Sequence, residues 1–466
     1  MKLKNNIMLV FAFSIVVKGI GAVIEIVIQW LLTQEIGVSG YGDYSFYVNC
    51  VDISFWALFS GVVKCNTFYL SDEKQSLTNY KKKYFSFYVI PLLIVSAVIC
   101  LVLKKYLLFS IIPIVFFQLL MSDKSSTYMA RGSYNIALIG EYVLGRAVLL
   151  IGLFCLGTFV EFKISYLLLM YGIQYVAVVL FFFLFHKRID NSESQQVSVP
   201  IKKLLNYQQS DIVFGLIGQA PVILQYIFVG AFEAGFSGIV SLVRKMVGFI
   251  SGPTSKVFLP EFSRLYKERN YAELRYNYQM IMRIQMMFIN VLGVVLIGNT
   301  EWFLSIFSPE LLQYCTLFRI VSIAFLFAAT LGPTTGLMQM TNNEAIDNMI
   351  RWGSVGVMIL TWILLRNNPM FALIGMTVQV ALEGVLKYGY VCYWFKRMPI
   401  SIIRYVVMWL PITFSSILVK YCFAFQNDVA KVLFSVIIVA FLSIGIELTD
   451  KNMRNKIGKI FRKIRK

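Results

Sequence analysis

The sequence predicts an all-α polytopic membrane protein with about 14 transmembrane helices. Of its 466 residues, 58% are hydrophobic and only 14% are charged, whereas a soluble domain carries about 25% charged residues. Apolar runs of about 18 residues or more, long enough to cross a bilayer as a helix, follow one another from residue 7 to residue 449. The basic residues are concentrated in alternate connections between these runs, as the positive-inside rule requires.

The predicted spans have ends that are good to a few residues. In order they are 7–32, 42–65, 84–103, 106–122, 136–158, 164–186, 206–231, 236–259, 278–299, 311–338, 346–365, 370–395, 401–424 and 429–449. The first span is too long for the apolar core of a signal peptide, about 7–15 residues, so we interpret it as an uncleaved helix. The division between the third and fourth spans is the weakest, because only Lys104 and Lys105 separate them.

The charge of the loops predicts the orientation of the chain. An even number of spans places both termini on one side of the membrane, and the basic loops identify that side as the cytoplasm. The opposite loops hold few basic residues, namely Lys104, Lys105, Lys163, Arg366 and Lys431. We interpret the net charge of +19 as loops and a tail that contact anionic lipids, and not as a nucleic-acid surface.

A polar cytoplasmic loop at 187–203 divides the chain into two halves. Residues 29–46 and 225–239 share a weak similarity in which a Gln-aromatic pair leads through an apolar stretch into a Gly-containing turn. Six helices in each half would form parallel repeats with the substrate site between them. The predicted parts are an N-terminal lobe (1–186), a linker (187–205), a C-terminal lobe (206–395), two further helices (396–449) and a basic tail (450–466).

Catalytic motifs are absent from the sequence. It contains no P-loop, no G-x-S-x-G and no H-E-x-x-H. His186 is the only histidine, and the seven cysteines are scattered, so we predict neither a metal site nor a cofactor. We interpret KGIGAVIE (18–25) as a helix-packing segment, since it lacks the third glycine of a dinucleotide fingerprint. The outward loops are short, and the longest, 299–310, is half apolar, which leaves no room for a soluble catalytic domain.

The candidate site residues are charges inside predicted spans. Each costs about 2.5–3.5 kcal/mol at a helix centre, so each is a functional candidate. The deep cations are Lys18, Arg146, Arg244 and Lys245, with Arg319 somewhat shallower; the acidic residues at similar depth are Glu25, Asp52 and Glu141.

Two interpretations of these charges stay open. They could pair with each other and hold helices together, or they could line a wet cationic cavity that binds an anion. The adjacent Arg244 and Lys245 favour the second, because they point about 100° apart on a helix and one carboxylate is poorly placed to neutralise both. Arg and Lys bind phosphate well. Glu25, Asp52 and Glu141 would carry a coupling proton or balance charge.

Other charges in the spans have simpler interpretations. We expect Arg283 and Arg351, near helix ends, to extend towards the interface. Glu383 and Lys387 have the i, i+4 spacing of a self-neutralising pair.

Several motifs resemble those of the Wzx-type flippases for O-antigen and polysaccharide units, in the superfamily that also holds lipid II flippases and multidrug and toxin extruders. TQEIGVSGYGDYSFY (33–47) is similar to the turn after the family's first helix, and YMARGSYNIALIGE (128–141) to the entry to its fifth. VFLPEFSRLYKE (257–268) is similar to the exit from its eighth helix. Residues 311–327 and 367–391 occupy the places of its tenth and twelfth helices, although Phe371, Leu373 and Gly375 replace the pattern that the family has there.

The resemblance implies two six-helix lobes around a central cationic cavity, plus two C-terminal helices. It implies a transporter, not an enzyme, that flips an undecaprenyl-diphosphate-linked oligosaccharide from the cytoplasmic to the periplasmic leaflet of the bacterial inner membrane by alternating access. The cations would hold the diphosphate, and H⁺, Na⁺ and the membrane potential stay open as driving forces. The polymerase and chain-length regulator of the pathway are possible partners. The alternatives are a drug/cation antiporter of the same superfamily and a polysaccharide polymerase.

Overall fold

The structure is a computed structural model, and it describes most of the predicted spans. The described residues are 7–69, 75–76, 90, 94, 106–131, 133–159, 161–185, 195–196, 201–401, 403, 405–412, 414 and 428–448. The predicted third span, 84–103, lies outside them except for two residues, and so does most of the thirteenth, 401–424. Most of the linker and all of the basic tail lie outside the described residues.

Helix α1 contains the first two predicted spans. It runs from Ile7 to Tyr69 and changes direction at Gly37, whose φ of 71° and ψ of 172° are not helical. A positive φ is unfavourable for residues with a side chain, and glycine adopts it without that cost. The sequence therefore places two helical arms in one continuous element, with the turn at the glycine-containing stretch between the predicted spans.

The next elements complete the first half of the chain. A 3₁₀ turn (Tyr106–Ser110) leads into α2 (Ile111–Ala130), and a π-helix (Ile139–Leu144) joins α3 (Tyr134–Leu138) to α4 (Gly145–Phe159). Helices α5 (Ile164–Leu184) and α6 (Ile201–Phe228) follow. Two strands of two residues each, β1 (Gln75–Ser76) and β2 (Gln195–Gln196), pair in parallel.

The second half is also helical. Its elements are α7 (Ala231–Lys267), α8 (Tyr271–Gly293) with a π-helix (Val294–Gly298), α9 (Thr300–Phe307), a 3₁₀ turn (Pro309–Tyr314), α10 (Cys315–Thr330), α11 (Thr334–Met340), α12 (Glu344–Leu364), α13 (Phe371–Trp394), helical residues 405–412, and α14 (Asp428–Leu448). The half-apolar loop predicted at 299–310 is mostly the short helix α9. This helix buries Phe303, Leu304 and Phe307 on one side.

The predicted fold class, an all-α polytopic membrane protein, is confirmed. Among the described residues, eight helical stretches are long and apolar enough to cross a membrane. They are Val16–Val63, Leu107–Ala130, Tyr134–Thr158, Ile164–Leu184, Tyr271–Gly298, Pro309–Met340, Phe371–Trp394 and Asp428–Glu447. Large apolar side chains such as Leu184, Leu364 and Phe441 are more than two-thirds exposed on these and neighbouring helices, as expected for surfaces in contact with lipid.

The chain forms two compact units. The first comprises residues 1–242 and 362–376, and the second comprises 243–361 and 377–466. We call them the first and second units. The predicted six-helix lobes and the cavity between them stay predictions.

The second unit holds its last helix with polar contacts as well as apolar ones. The Asn290 side-chain amide on α8 donates to the Ser443 hydroxyl at 3.0 Å and to the Met408 carbonyl at 2.8 Å. Arg283 lies 4.0 Å from Glu447, and both side chains are largely buried. Arg283 therefore lies beside a carboxylate at the end of α14, and the expectation that it extends to the interface stays a prediction.

Candidate functional site

One face of α1 in the first unit carries two of the predicted site residues, Lys18 and Glu25, with Gly21 between them. Lys18, Gly21 and Glu25 are spaced three and four residues apart, which places them on one side of a helix. A side chain at Gly21 would have its Cβ 2.4 Å from the carbonyl oxygen of Tyr142. Glycine therefore lets α1 approach the backbone of the π-helix directly, which agrees with the helix-packing interpretation of KGIGAVIE.

We call Lys18, Glu25, Glu141, Tyr142 and Arg146 the N-terminal charge cluster. Arg146 Nε lies 2.8 Å from Glu25 Oε2, and Arg146 Nη1 donates to the Tyr142 carbonyl oxygen at 2.9 Å. Arg146 and Glu25 are thus an ion pair between α4 and α1. For these two residues the structure favours the interpretation in which intramembrane charges neutralise each other.

The Tyr142 ring lies close to both cations of the N-terminal charge cluster. The Lys18 ammonium lies 4.7 Å from the centre of the Tyr142 ring, and the Arg146 guanidinium carbon lies 5.7 Å from it. Both distances allow cation–π attraction. Glu141, the neighbour of Tyr142 in the chain, accepts a hydrogen bond from the Ser125 hydroxyl at 2.7 Å. The cluster therefore holds two cations and two carboxylates around one aromatic ring.

The π-helix explains why sequence reasoning missed Tyr142. A π-turn contains one residue more than an α-turn and shifts the side chains that follow to another face. The i, i+4 spacing of Tyr142 and Arg146 was the available signal, but the sequence does not show the π-helix at Ile139–Leu144, and Lys18 lies on another helix.

Asp52 lies on the second arm of α1 and contacts two other helices. Its Oδ1 atom accepts from the Gln118 amide of α2 at 3.2 Å and from the Tyr171 hydroxyl of α5 at 3.4 Å. The Tyr175 hydroxyl in turn donates to the Tyr171 hydroxyl at 2.9 Å. The carboxylate is therefore at the end of a short chain of hydroxyl groups within the first unit.

The other predicted cations belong to the second unit. Arg244 and Lys245 are both half-buried on α7. One turn beyond Arg244, Gly248 is exposed, and a Cβ added there would meet nothing within 4 Å. Arg244 therefore lies next to an open stretch of the helix surface.

Arg319 of α10 contacts the short helix α9. Its Nη2 atom lies 2.9 Å from Glu301 Oε1, and its Nε donates to the Thr300 hydroxyl at 3.2 Å. Both charged side chains of this pair are well exposed. Arg319 thus contacts two residues of α9.

The second unit contains a second buried cluster of charged residues, of which only the Glu383 and Lys387 pair was predicted from the sequence. We call Thr335, Asp347, Arg351, Glu383 and Lys387 the C-terminal charge cluster. Lys387 Nζ lies 2.6 Å from Glu383 Oε1, which confirms the predicted i, i+4 pair, and 2.7 Å from Asp347 Oδ1. Arg351 Nε lies 3.4 Å from Glu383 Oε1, and Arg351 Nη2 lies 3.7 Å from Asp347 Oδ2. The expectation that Arg351 extends to the interface is wrong, because two carboxylates hold it inside the unit.

No group of three or more His, Cys, Asp or Glu side chains in the described part of the chain is placed to hold a metal ion.

Neither a protein-family model nor a curated protein sequence matches the chain. Solved structures do. The inward closed conformation of the lipid II flippase MurJ matches with a TM-score of 0.68 and 16% identity, over 96% of this chain and 99% of that one. An inward-facing multidrug resistance MATE family transporter of the MOP superfamily matches with a TM-score of 0.58 and 12% identity, over 82% of this chain and 98% of that one.

A third similar structure is a MOP superfamily transporter from Pyrococcus furiosus, described as having a binding pocket of reverse polarity. It matches with a TM-score of 0.59 and 12% identity, over 84% of this chain and 96% of that one. The three matches show the fold of the chain: it is a multi-pass membrane protein that shares its fold with the lipid II flippase and with the two transporters. At these identities the similarity establishes the fold alone.

Proposed function

We propose that the protein is a flippase that moves an undecaprenyl-diphosphate-linked oligosaccharide, an O-antigen or capsule repeat unit, from the cytoplasmic to the periplasmic leaflet of the bacterial inner membrane. The observation that carries the proposal is the extent of the similarity to the lipid II flippase, 96% of this chain and 99% of that one. The MATE-type transporter covers 82% of this chain. Flipping of a lipid-linked substrate by alternating access fits a chain with this fold and without catalytic motifs.

The phosphate-binding role rests most directly on Arg244 and Lys245. They are adjacent on α7 and half-buried, so they are accessible in part. Because neighbouring residues point about 100° apart, the two cations can approach a diphosphate from different directions. The open surface at Gly248 leaves space beside Arg244 for a bulky group. Arg and Lys are the side chains that bind phosphate oxygens with charge-assisted hydrogen bonds.

The N-terminal charge cluster links binding of the diphosphate to protonation of a carboxylate. Arg146 is paired with Glu25, so a diphosphate has to compete with this carboxylate for the guanidinium. Protonation of Glu25 would release Arg146 to the phosphate, and loss of that proton would favour release of the substrate. Glu25 then links protonation to substrate binding, while Glu141 and Asp52 balance charge within the first unit. Because the proton would leave the cytoplasm together with the substrate, an inward proton gradient opposes this step, and Na⁺ and the membrane potential stay open as driving forces.

The test is a leaflet-accessibility assay in proteoliposomes. The probe is undecaprenyl diphosphate that carries a short fluorescent oligosaccharide, and an impermeant quencher reports how much of it lies in the outer leaflet. We expect the double variant Arg244→Gln and Lys245→Gln to flip the probe at least about tenfold more slowly, the effect of losing about 1.4 kcal/mol of binding. Arg264→Gln is the matched control, because Arg264 is an exposed residue of the same helix that pairs with Glu268. Equal rates for the double variant and the control would contradict the role of the two cations.

The alternative is a drug/cation antiporter, favoured by the match to the MATE family transporter and by the carboxylates of the first unit. Proteoliposomes loaded with a lipophilic cationic dye distinguish the two functions. Dye efflux driven by a proton gradient, in vesicles that do not flip the lipid probe, would establish the antiporter. Probe flipping without dye efflux is the result that we expect.

A further inference from the structure

The C-terminal charge cluster surrounds one ammonium group with oxygen atoms. Lys387 Nζ lies 2.7 Å from Asp347 Oδ1 and 2.6 Å from Glu383 Oε1, and it donates to the Thr335 hydroxyl at 2.8 Å. The three oxygen atoms come from α12, α13 and α11. Both Lys387 and Asp347 are almost fully buried, with side chains 2% and 1% exposed.

The charges of the C-terminal charge cluster balance only when Lys387 is present. Asp347 and Glu383 supply two negative charges, and Lys387 and Arg351 supply two positive charges. The contacts of Arg351 with the carboxylates, at 3.4 and 3.7 Å, are longer than those of Lys387. Lys387 is therefore the nearer counter-ion of both carboxylates, and its removal would leave a buried net charge of −1.

We propose that Asp347, Glu383 and Thr335 form a binding site for a monovalent cation, and that Lys387 fills this site with its own tethered ammonium. Carboxylate and hydroxyl oxygens are ligands for hard cations. One ion of charge +1 is the ligand that restores neutrality, since Arg351 already neutralises one of the two carboxylates. Two carboxylates beside an arginine are a poor site for a divalent ion.

Because the Lys387 ammonium is attached to α13, occupancy of the site does not depend on the concentration of an ion in solution. An ion taken from solution loses translational freedom on binding, whereas an ammonium attached to α13 has lost most of it already. Helices α11, α12 and α13 are then held together at every salt concentration. It also follows that a coupling ion has no place at these carboxylates. This inference is independent of the proposed transport function, because it concerns the stability of the second unit.

The experiment measures the thermal unfolding midpoint of the full-length protein in detergent, in sodium chloride and in choline chloride of equal ionic strength. For Lys387→Ala we expect a midpoint at least about 3 °C higher in sodium than in choline, as ligand binding to the folded state raises it. The difference should grow with the logarithm of the sodium concentration. The wild-type protein should have the same midpoint in both salts.

The control variant combines Lys387→Ala with Glu383→Gln. It removes one charge of each sign, leaves Asp347 with Arg351, and should unfold at the same temperature in sodium and choline. Equal midpoints of Lys387→Ala in the two salts would overturn the proposal. So would failure of Lys387→Ala to fold in either salt, or a sodium effect of the same size in the wild-type protein or in the control variant.

Discussion

The substitution Gly42→Ala tests a close contact between α1 and α7 within the first unit. A Cβ built on Gly42 would lie 1.7 Å from the carbonyl oxygen of Ala231 and 2.9 Å from the backbone nitrogen of Gly235. The contact is reciprocal, because a Cβ on Gly235 would lie 2.2 Å from the carbonyl oxygen of Val38. Two glycines therefore allow the backbones of the helices to touch.

The loss of stability that we expect for Gly42→Ala follows from these distances. Carbon and oxygen atoms that are not bonded normally stay more than 3.0 Å apart. The alanine methyl would thus have to separate the two backbones by more than 1 Å, since a carbonyl group of a helix cannot rotate away as a side chain can. Overpacking of this kind costs about 1–3 kcal/mol or more. It exceeds the gain of about 1 kcal/mol that alanine brings to a helix in place of glycine.

The assay uses Ser45→Cys as a reporter in a background without other cysteines. Ser45 is buried, and its hydroxyl lies where a side chain on Gly238 would be. In Gly42→Ala we expect the reporter to react at least about tenfold faster with an impermeant maleimide, because the helices can no longer close over it. We also expect slower flipping of the lipid probe.

The matched control for this prediction is Gly19→Ala. Gly19 lies on the same helix, and a Cβ added there meets nothing within 4 Å. It should leave the labelling rate unchanged and raise the unfolding temperature. If Gly42→Ala behaves like Gly19→Ala in both labelling and transport, the steric reasoning is refuted.

Three further predictions concern single side chains. Glu25→Gln should bind the lipid probe up to about tenfold more tightly, because Arg146 loses a competing anion, and should flip the probe more slowly. Unchanged affinity in a binding assay would contradict the competition between Glu25 and the phosphate for Arg146. Tyr142→Ala should lower the unfolding midpoint, because the ring attracts Lys18 by about 0.5–2 kcal/mol. Tyr142→Phe keeps the ring and should largely preserve the midpoint. Similar losses in both variants would show that the hydroxyl matters instead. Asn290→Ala should cost about 1–3 kcal/mol in thermal unfolding, because two buried acceptors lose their donor, whereas an unchanged midpoint would mean that α14 is held by apolar packing alone.

The helices could be predicted from the sequence because a helix that crosses a lipid bilayer needs a long apolar stretch, which hydropathy detects. The spans around α5, α8 and α14 needed only the length and apolar composition that a bilayer demands. The turn in α1 was predicted as a gap between spans, but its cause, a positive φ at Gly37, is a single backbone state that hydropathy does not contain. Lateral packing of helices is likewise absent from a hydropathy profile.

The candidate site was less predictable because its partners are distant in sequence. The Glu383 and Lys387 pair could be predicted, since local helical spacing sets it. Asp347 lies in the first turn of α12, where an acidic residue is ordinary, so only the packing of α12 on α13 reveals it as a partner of Lys387. Arg146 and Glu25 were recognised individually, but their 121-residue separation hid the pairing.

The two charge clusters have equal formal charges but different access to their surroundings, and this difference favours different roles. The Arg146 and Glu25 side chains are 21% and 17% exposed, whereas those of Lys387 and Asp347 are 2% and 1% exposed. A partly exposed ion pair can exchange its partner for a proton or a phosphate at modest cost, because water or substrate replaces the lost contact. A fully buried pair cannot, since opening it leaves an uncompensated charge in a low-dielectric interior. Ion and substrate exchange are therefore expected at the N-terminal charge cluster, and a permanent connection between helices at the C-terminal one.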